Sequence, residues 1–151
     1  MNDVVFSMVD QIKLGIDYLD NHTPEFRVDL AKLNEIAGMK AVVCSDYVAA
    51  RSYFAYAMTL LPNDHWKIHY DITLRCSLGL AKSQYSCGDM ENAQCMLQGI
   101  IRQCQSFEDT LPACDLLVRS KMYAWSCLLE MCLSEFCLAN NDYCLFSSLL
   151  P

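Results

Sequence analysis

Cysteine and histidine are the side chains of this 151-residue chain that could do the most chemistry, as nucleophiles, general bases or metal ligands. The sequence contains ten cysteines, and no two of them have the Cys-x-x-Cys spacing typical of zinc and redox sites. Cys127, Cys132 and Cys137 recur every five residues, which turns about 140° per step around a helix, so their thiols cannot converge on one metal. We therefore interpret the cysteines as reduced thiols that fill the core as small apolar residues.

Two histidines, His65 and His69, are four residues apart at the start of a predicted helix, so both imidazoles could face one ligand. Two imidazoles without an evident third ligand make a weak metal site. A structural role beside Trp66 and Tyr70 is favoured, in which Trp66 anchors the turn through its large buried area. We predict no metal and no cofactor.

Catalytic motifs are absent from the sequence, which has no Ser-His-Asp order, glycine-rich phosphate loop or Walker sequence. Four acidic residues lie at predicted helix starts, where a carboxylate interacts favourably with the helix dipole: Asp64, Asp71, Asp89 and Glu91. That role is favoured over general acid–base catalysis, and we predict no catalytic residue and no enzyme. The alternative is a small helical ligand-binding or thiol-dependent enzyme domain, with Cys87 and Cys95 as candidate reactive thiols.

The composition excludes several classes of protein. Apolar residues make up 54% of the chain and charged residues 19%, as expected for a folded globular domain. The net charge of −7 disfavours binding to nucleic acid, because the phosphate backbone would be repelled. No segment is apolar for 18 residues, and the N-terminal sequence MNDVVFSMVDQIK carries acids where a secretory signal would be basic. We predict a cytoplasmic protein without a membrane or nucleic-acid partner.

Hydrophobic periodicity predicts helices along most of the chain. The predicted helices cover residues 3–19, 25–44, 46–61, 65–86, 90–104 and 109–125. Residues that favour helix starts or ends lie at their boundaries: Thr23 before Pro24, Ser45, Pro62, Asn63 or Asp64, Gly88 with Asp89, and Ser106 with Asp109. Five glycines and four prolines are too few for a turn-rich β protein, so the fold class is all-α.

One apolar stripe occurs twice in the sequence. Its first copy is Tyr47, Ala50, Phe54, Ala57 and Leu61, with spacings of three and four. Its second copy, displaced by 43 residues at every position, is Met90, Ala93, Leu97, Ile100 and Cys104. Repeated helix pairs are typical of an α-solenoid, in which neighbouring pairs stack to bury their apolar faces. We therefore predict an α-solenoid of antiparallel helix pairs, with alanines at the helix crossings.

Residues 31–64 resemble a tetratricopeptide repeat. The residues that carry the resemblance are Gly38, Ala41, Tyr47, Ala50, Phe54, Ala57 and Pro62. Residues 74–107 resemble it more loosely, through Ala81, Gly88, Asp89, Ala93, Leu97 and Ile100. Gln84 departs from the motif at a position that is usually small and apolar. The displacement of 43 residues also exceeds the usual period of about 34, and the extra residues lie around the sequence NDHWKIHYD.

A larger pattern is similar to the helical repeat region of multidomain signalling proteins. It consists of LNxxAGxKA at Leu33–Ala41, YxAAxxYFxxxxxLLPxDHWxxHYxxTL at Tyr47–Leu74 and GDxExA at Gly88–Ala93. Those proteins carry a serine/threonine kinase-like domain, an ATPase of the AAA/STAND type, the repeat region, and often a sensor histidine kinase or cyclase output domain. The resemblance spans roughly residues 5–122. It implies a helix leading in from a preceding domain over 1–22 and repeats over 23–122. Residues 123–151 depart from the family pattern, and we predict a partial or atypical C-terminal helix and tail there.

The resemblance implies a non-catalytic scaffold for protein interaction or signal relay, whose partners are flanking ATPase or kinase domains or a peptide segment. Candidate contact residues in a groove are Asn34, Lys40, Tyr53, Tyr56, Ser77 and Gln84. Positions expected to be structural are Gly38, Ala50, Phe54, Ala57, Pro62, Trp66, Gly88, Ala93 and Leu97. A further alternative is a gene fragment without independent function, which would self-associate through exposed apolar ends.

Overall fold

The computed structural model describes residues 6–7, 9–11 and 23–140, with the side chains of that set except those of 124 and 127–140. The helices are α1 (Pro24–Val43), α2 (Tyr47–Leu60), α3 (His65–Ile68), α4 (Tyr70–Ser86), α5 (Met90–Gln103) and α6 (Phe107–Asn140). The described part of the chain contains no strand, which confirms the all-α prediction. None of its helices combines the length and apolar content needed to cross a membrane.

The helix predicted over 3–19 falls mostly outside the described residues, of which 6–7 and 9–11 are helical. Val9 in this segment is fully buried, and the ring of Phe6 stacks on that of Tyr53, with 5.7 Å between the centroids. The segment therefore contributes to the same hydrophobic core as α2.

The chain divides into two compact units, Met1–Leu117 and Val118–Pro151. The described residues of the second unit form the C-terminal part of α6, which ends at Asn140. The sequence predicted the end of this helix near residue 125. It continues because residues 113–140 contain no glycine or proline to interrupt the backbone hydrogen bonds. The predicted tail beyond residue 140 lies outside the described residues.

Helices α1 and α2 form an antiparallel pair. The Arg27 guanidinium, near the start of α1, donates hydrogen bonds to the carbonyl oxygens of Thr59 and Leu60 at the end of α2, at 3.1 and 3.3 Å. The start of α1 is itself capped as predicted, since Thr23 Oγ1 accepts the N–H of Phe26 at 3.4 Å and Pro24 begins the helix. Arg27 therefore supplies donors to carbonyl groups that the end of α2 leaves without helical partners.

The turn between α1 and α2 corrects one predicted cap. Ser45 has a φ of 61°, in the left-handed region, and ends α1 in a Schellman motif. The N–H of Asp46 closes that motif by donating to the carbonyl oxygen of Ala41 at 2.9 Å. Asp46, and not Ser45, is the N-cap of α2, because its Oδ1 accepts the N–H of Ala49 at 3.0 Å.

The turn between α4 and α5 repeats this geometry. Gly88 has a φ of 80°, which glycine adopts without strain, and the N–H of Asp89 donates to the carbonyl oxygen of Gln84 at 2.9 Å. Asp89 takes the predicted N-cap position, but its carboxylate accepts the side-chain amide of Asn92 rather than a backbone N–H. The two turns are 43 residues apart, like the apolar stripes.

The repeat extends to the bounds and the buried faces of α2 and α5. Both helices have 14 residues, and the 43-residue displacement applies to both of their ends. The predicted stripe positions Ala50, Phe54, Ala57, Ala93, Leu97 and Ile100 are all buried. The equivalent positions therefore serve the same packing role in both helices.

The helix predicted over 65–86 is divided into α3 and α4. The division lies at His69, whose φ of −124° and ψ of 46° are not helical. The buried Thr73 stabilises it, because its Oγ1 lies 2.8 Å from the carbonyl oxygen of His69 and 3.2 Å from that of His65. Asp64 takes the N-cap position of α3 without a side-chain hydrogen bond to the helix.

Phe54 occupies the centre of the contact between α1, α2 and α4, and its ring is fully buried. A methyl group on Gly38 of α1 would lie 2.9 Å from the ring, and one on Gly79 of α4 would lie 2.5 Å from it. The backbones of α1 and α4 therefore approach the ring more closely than any other residue type would allow. The sequence predicted the structural role of Gly38 but not that of Gly79.

Candidate functional site

The predicted contact residues Asn34 and Ser77 are fully buried and do not face solvent. Asn34 lies one helical turn before Gly38, on the face of α1 that packs against Phe54, and its Nδ2 donates to the carbonyl oxygen of Leu30 at 2.9 Å. Ser77 Oγ contacts the sulfur of Met58 in α2 at 3.6 Å. Both side chains belong to the helix interfaces, so the prediction that they contact a partner is corrected.

The predicted groove tyrosines lie against the core. Tyr53 is buried, and its hydroxyl donates to the Asp10 carboxylate at 3.2 Å. Burial, together with the charge of Asp10, raises the pKa of Tyr53 above its ordinary value. Tyr56 is half-buried against the same hydrophobic cluster. Tyr53 therefore joins the N-terminal helical residues to α2 instead of lining an open surface.

Lys40 and Gln84 are the remaining predicted contact residues. Gln84 is half-buried near the end of α4, and its Oε1 atom has no hydrogen-bond partner within the described residues. Lys40 lines a groove of about 530 Å³ between α1 and α4. The groove is lined by Lys32, Glu35, Ile36, Met39, Lys40, Val43 and Arg75.

Three apolar side chains form the floor of this groove. Ile36, Met39 and Val43 are 47, 54 and 84% exposed. Their spacings of three and four residues place them along one side of α1. Single exposed apolar residues are common on protein surfaces, but a continuous apolar stripe within a groove indicates a binding surface. We refer to this surface as the α1–α4 groove.

An ion pair between α1 and α4 lines one side of the α1–α4 groove. Arg75 of α4 donates through Nε and Nη2 to the two carboxylate oxygens of Glu35 in α1. The bidentate bond raises the pKa of Arg75 above its ordinary value, although partial burial opposes the shift. The pair joins α1 and α4 across this side of the groove, although the Arg75 side chain is itself 57% exposed.

The charges around the α1–α4 groove are mainly positive. Lys32, Lys40 and Arg75 outnumber the single acid Glu35, whereas the whole chain carries a net charge of −7. Arg75 is paired with Glu35, and Lys32 is paired with Asp29 at 2.8 Å, so Lys40 is the groove cation without an ion pair among the described residues. The groove is thus an apolar surface with a small positive excess on an acidic protein.

A second groove, of about 870 Å³, lies where the start of α1 meets the turn after α2. Its Arg27 guanidinium is bonded to the carbonyl oxygens of Thr59 and Leu60, and Glu25 and Asp29 lie along its wall. Its apolar lining residues Val28, Leu60 and Leu61 are buried, so they offer little exposed apolar surface to a partner. This groove is therefore the weaker candidate for a binding surface.

The two predicted histidines belong to different environments. His65 Nδ1 lies 3.2 Å from Thr73 Oγ1, and burial lowers the pKa of His65, while His69 lines the second groove. Trp66 is half-buried, and its ring centroid is 6.1 Å from that of Tyr70. It packs against a hydrophobic cluster formed by Ala81, Leu97, Ile100 and Ala113. Within the described residues, no group of three or more potential ligands is placed to hold a metal ion.

Tyr70 connects the start of α4 to the turn between α5 and α6. Its hydroxyl donates to Asp109 Oδ2 at 2.8 Å and accepts the N–H of Gln105 at 3.0 Å. Ser106 Oγ accepts the N–H of Asp109 at 3.1 Å, as its predicted capping role requires. Trp66 and Tyr70 of the sequence NDHWKIHYD therefore both contribute to packing within the fold.

We expect the cysteines to differ strongly in reactivity. Cys76 is buried in the core, and burial raises the pKa of its thiol from 9.0 to about 12. At pH 8 its thiolate population should be lower than that of an ordinary thiol by a factor on the order of 1,000. Cys87 and Cys95 are exposed and should react rapidly. Alkylation with iodoacetamide, followed by mass spectrometry of the native protein, measures each rate. Rapid labelling of Cys76 before unfolding would contradict this expectation.

Comparison of the chain with protein-family models, with curated proteins and with solved structures finds no match.

Proposed function

We propose that the protein is a non-catalytic interaction scaffold whose α1–α4 groove binds an acidic protein segment with apolar anchor residues. The observation that carries the proposal is the exposed stripe of Ile36, Met39 and Val43 inside the α1–α4 groove. The anchors of the partner would cover these side chains, and its acidic residues would lie near Lys40 and Lys32. An acidic partner also fits because the groove has a positive excess at Lys40, while the protein as a whole carries a net charge of −7.

The arrangement proposed for the helices is a tetratricopeptide-like solenoid. Its support is the 43-residue repeat, shared by the bounds, turns and buried positions of α2 and α5. A second support is that α2 lies between α1 and α4, which both contact Phe54. In such an array the first helices of successive pairs form a common face, and the α1–α4 groove lies between two helices of that kind.

The resemblance to the repeat region of multidomain signalling proteins provides a context for this role. On that resemblance, we propose that the segment bound by the groove belongs to a flanking ATPase or kinase domain, or to a separate peptide. A scaffold of this kind would relay a signal by binding that segment in only one state of the flanking domain.

The binding proposal can be tested by selecting displayed peptides against the full-length chain and measuring the affinity of the selected peptides by fluorescence polarisation. We expect the selected peptides to combine acidic residues with apolar residues at helical spacing. Met39→Glu should weaken their binding at least about tenfold, because it places a carboxylate on the apolar floor. Lys40→Glu should weaken binding less, and the effect should decrease with added salt.

Val48→Glu provides a matched control, since Val48 is an exposed valine at the start of α2, outside the α1–α4 groove. Circular dichroism shows whether each variant retains its helices. A failure to select any peptide, or peptides that bind the Met39→Glu variant as tightly as the original chain, would refute the proposal.

A further inference from the structure

A second apolar surface lies on the part of α6 that belongs to the second compact unit. Val118, Met122 and Trp125 are 58, 67 and 70% exposed. Their spacings of four and three residues place them on one side of the helix. Three large apolar side chains in a row, including a tryptophan, are unusual on the surface of a monomeric protein and indicate an interaction surface.

The spacing of this surface continues in the sequence of the same helix. Leu129, Cys132, Phe136 and Ala139 follow Trp125 at alternating intervals of four and three residues. Together with Val118 and Met122, they give an apolar heptad pattern over three heptads, from residue 118 to residue 139. Such a pattern is typical of a helix that packs along a partner helix in a coiled coil. We refer to residues 118–139 as the heptad segment.

The charges of the heptad segment favour a second copy of the same chain as the partner. The segment contains two basic residues, Arg119 and Lys121, and two acidic residues, Glu130 and Glu135, so it is neutral although the chain carries −7. Two copies can therefore approach through this segment without the repulsion that the rest of their surfaces would cause.

The order of these charges also favours an antiparallel arrangement. With Val118 at heptad position d, Lys121 and Glu135 both take position g, beside the apolar seam. In a parallel pair each of them would face a position e occupied by Ser126 or Asn140. In an antiparallel pair the g positions face each other, so Lys121 of one copy lies near Glu135 of the other.

We propose that two copies of the chain associate through antiparallel packing of their heptad segments. This dimer places the exposed side chains of Val118, Met122 and Trp125 in a shared apolar seam, and the hydrophobic effect drives its formation. The proposal is independent of the α1–α4 groove, which lies in the first compact unit.

Sedimentation equilibrium of the full-length chain, from about 1 to 100 μM, tests the dimer over the concentration range of specific association. We expect a mass twice that of one chain at the upper concentrations. The double variant Met122→Glu, Trp125→Glu should have the mass of a single chain, because it places two charges in the seam. Val48→Glu, an exposed substitution outside the heptad segment, should leave the dimer intact.

A charge exchange tests the antiparallel arrangement without removing apolar residues. Lys121→Glu and Glu135→Lys should each raise the dissociation constant about threefold to tenfold, and the combined variant should restore it. A single-chain mass at all concentrations, a larger assembly, or a dimer that survives Met122→Glu, Trp125→Glu would overturn the proposal. No recovery in the combined exchange would overturn the antiparallel arrangement.

Discussion

Replacing Phe54 with alanine is expected to lower the free energy of unfolding by about 3–5 kcal/mol, the range for truncation of a fully buried phenylalanine. The Phe54 ring fills the space where α1, α2 and α4 meet, and the backbones at Gly38 and Gly79 lie against it. Removing the ring leaves a cavity between three helices that are held apart by their other contacts. The helices cannot close the cavity without breaking those contacts, so the cost should fall in the upper part of that range.

Urea denaturation followed by circular dichroism measures this loss. Phe107→Ala serves as a matched control, because Phe107 is an exposed phenylalanine at the start of α6 and should change stability by less than about 0.5 kcal/mol. Equal losses in the two variants would show that Phe54 does not have the central packing role assigned to it.

The helix boundaries were largely predictable because capping depends on a few neighbouring residues. Thr23 with Pro24 and Gly88 with Asp89 mark helix ends in the sequence as in the structure. The cap before α2 was misplaced by one residue, since Ser45 and Asp46 are both good caps. Their roles are decided by the Schellman motif, which requires the left-handed conformation at Ser45 and leaves Asp46 to cap the next helix.

The candidate groove was harder to predict because α1 has two apolar sides. The buried side carries small residues such as Ala37 and Gly38, and the large Ile36 and Met39 lie on the exposed side. Residue size alone would favour burial of the larger side chains. The Phe54 ring lies so close to the α1 backbone at Gly38 that this side of the helix carries small residues, and the larger side chains lie on the exposed side. This tertiary contact is not visible in the local pattern of α1. Lys40 is the predicted contact residue that lines the groove, and the apolar Ile36, Met39 and Val43 were not predicted.

The break at His69 has a similar origin. A continuous helix over 65–86 satisfies the local pattern, but Thr73 Oγ1 is placed to bond to the carbonyl oxygens of both His65 and His69. Side chains of threonine can compete in this way with the helical hydrogen bonds of the backbone. The spacing of residues does not specify which carbonyl oxygens such a side chain will reach.

The second large effect is expected at Gly79, where replacement by alanine should lower the free energy of unfolding by about 1–3 kcal/mol through overpacking. Alanine is the better helix former by about 1 kcal/mol, so a mid-helix glycine would ordinarily be improved by this change. At Gly79, however, the added methyl group would lie 2.5 Å from the Phe54 ring. The ring cannot retreat, because Gly38 is in close contact with it.

Replacing Gly99 with alanine separates the effect of helix propensity from that of overpacking in the same protein. Gly99 lies within α5, and a methyl group added there would meet no atom within 4 Å. Gly99→Ala should therefore raise the free energy of unfolding by up to about 1 kcal/mol, as the helix propensities require. Chemical denaturation of both variants gives opposite signs if the overpacking argument is correct, and gains in both would contradict it.

A double substitution identifies the ring as the cause of the loss at Gly79. Phe54→Leu removes part of the ring volume, so the methyl group of the Gly79→Ala variant gains space that it lacks beside phenylalanine. The combined variant should be more stable than the sum of the two single losses predicts, by about 0.5–3 kcal/mol, the range for residues in direct contact. Strict additivity would mean that the cost at Gly79 comes from the backbone of α4 and not from contact with the Phe54 ring.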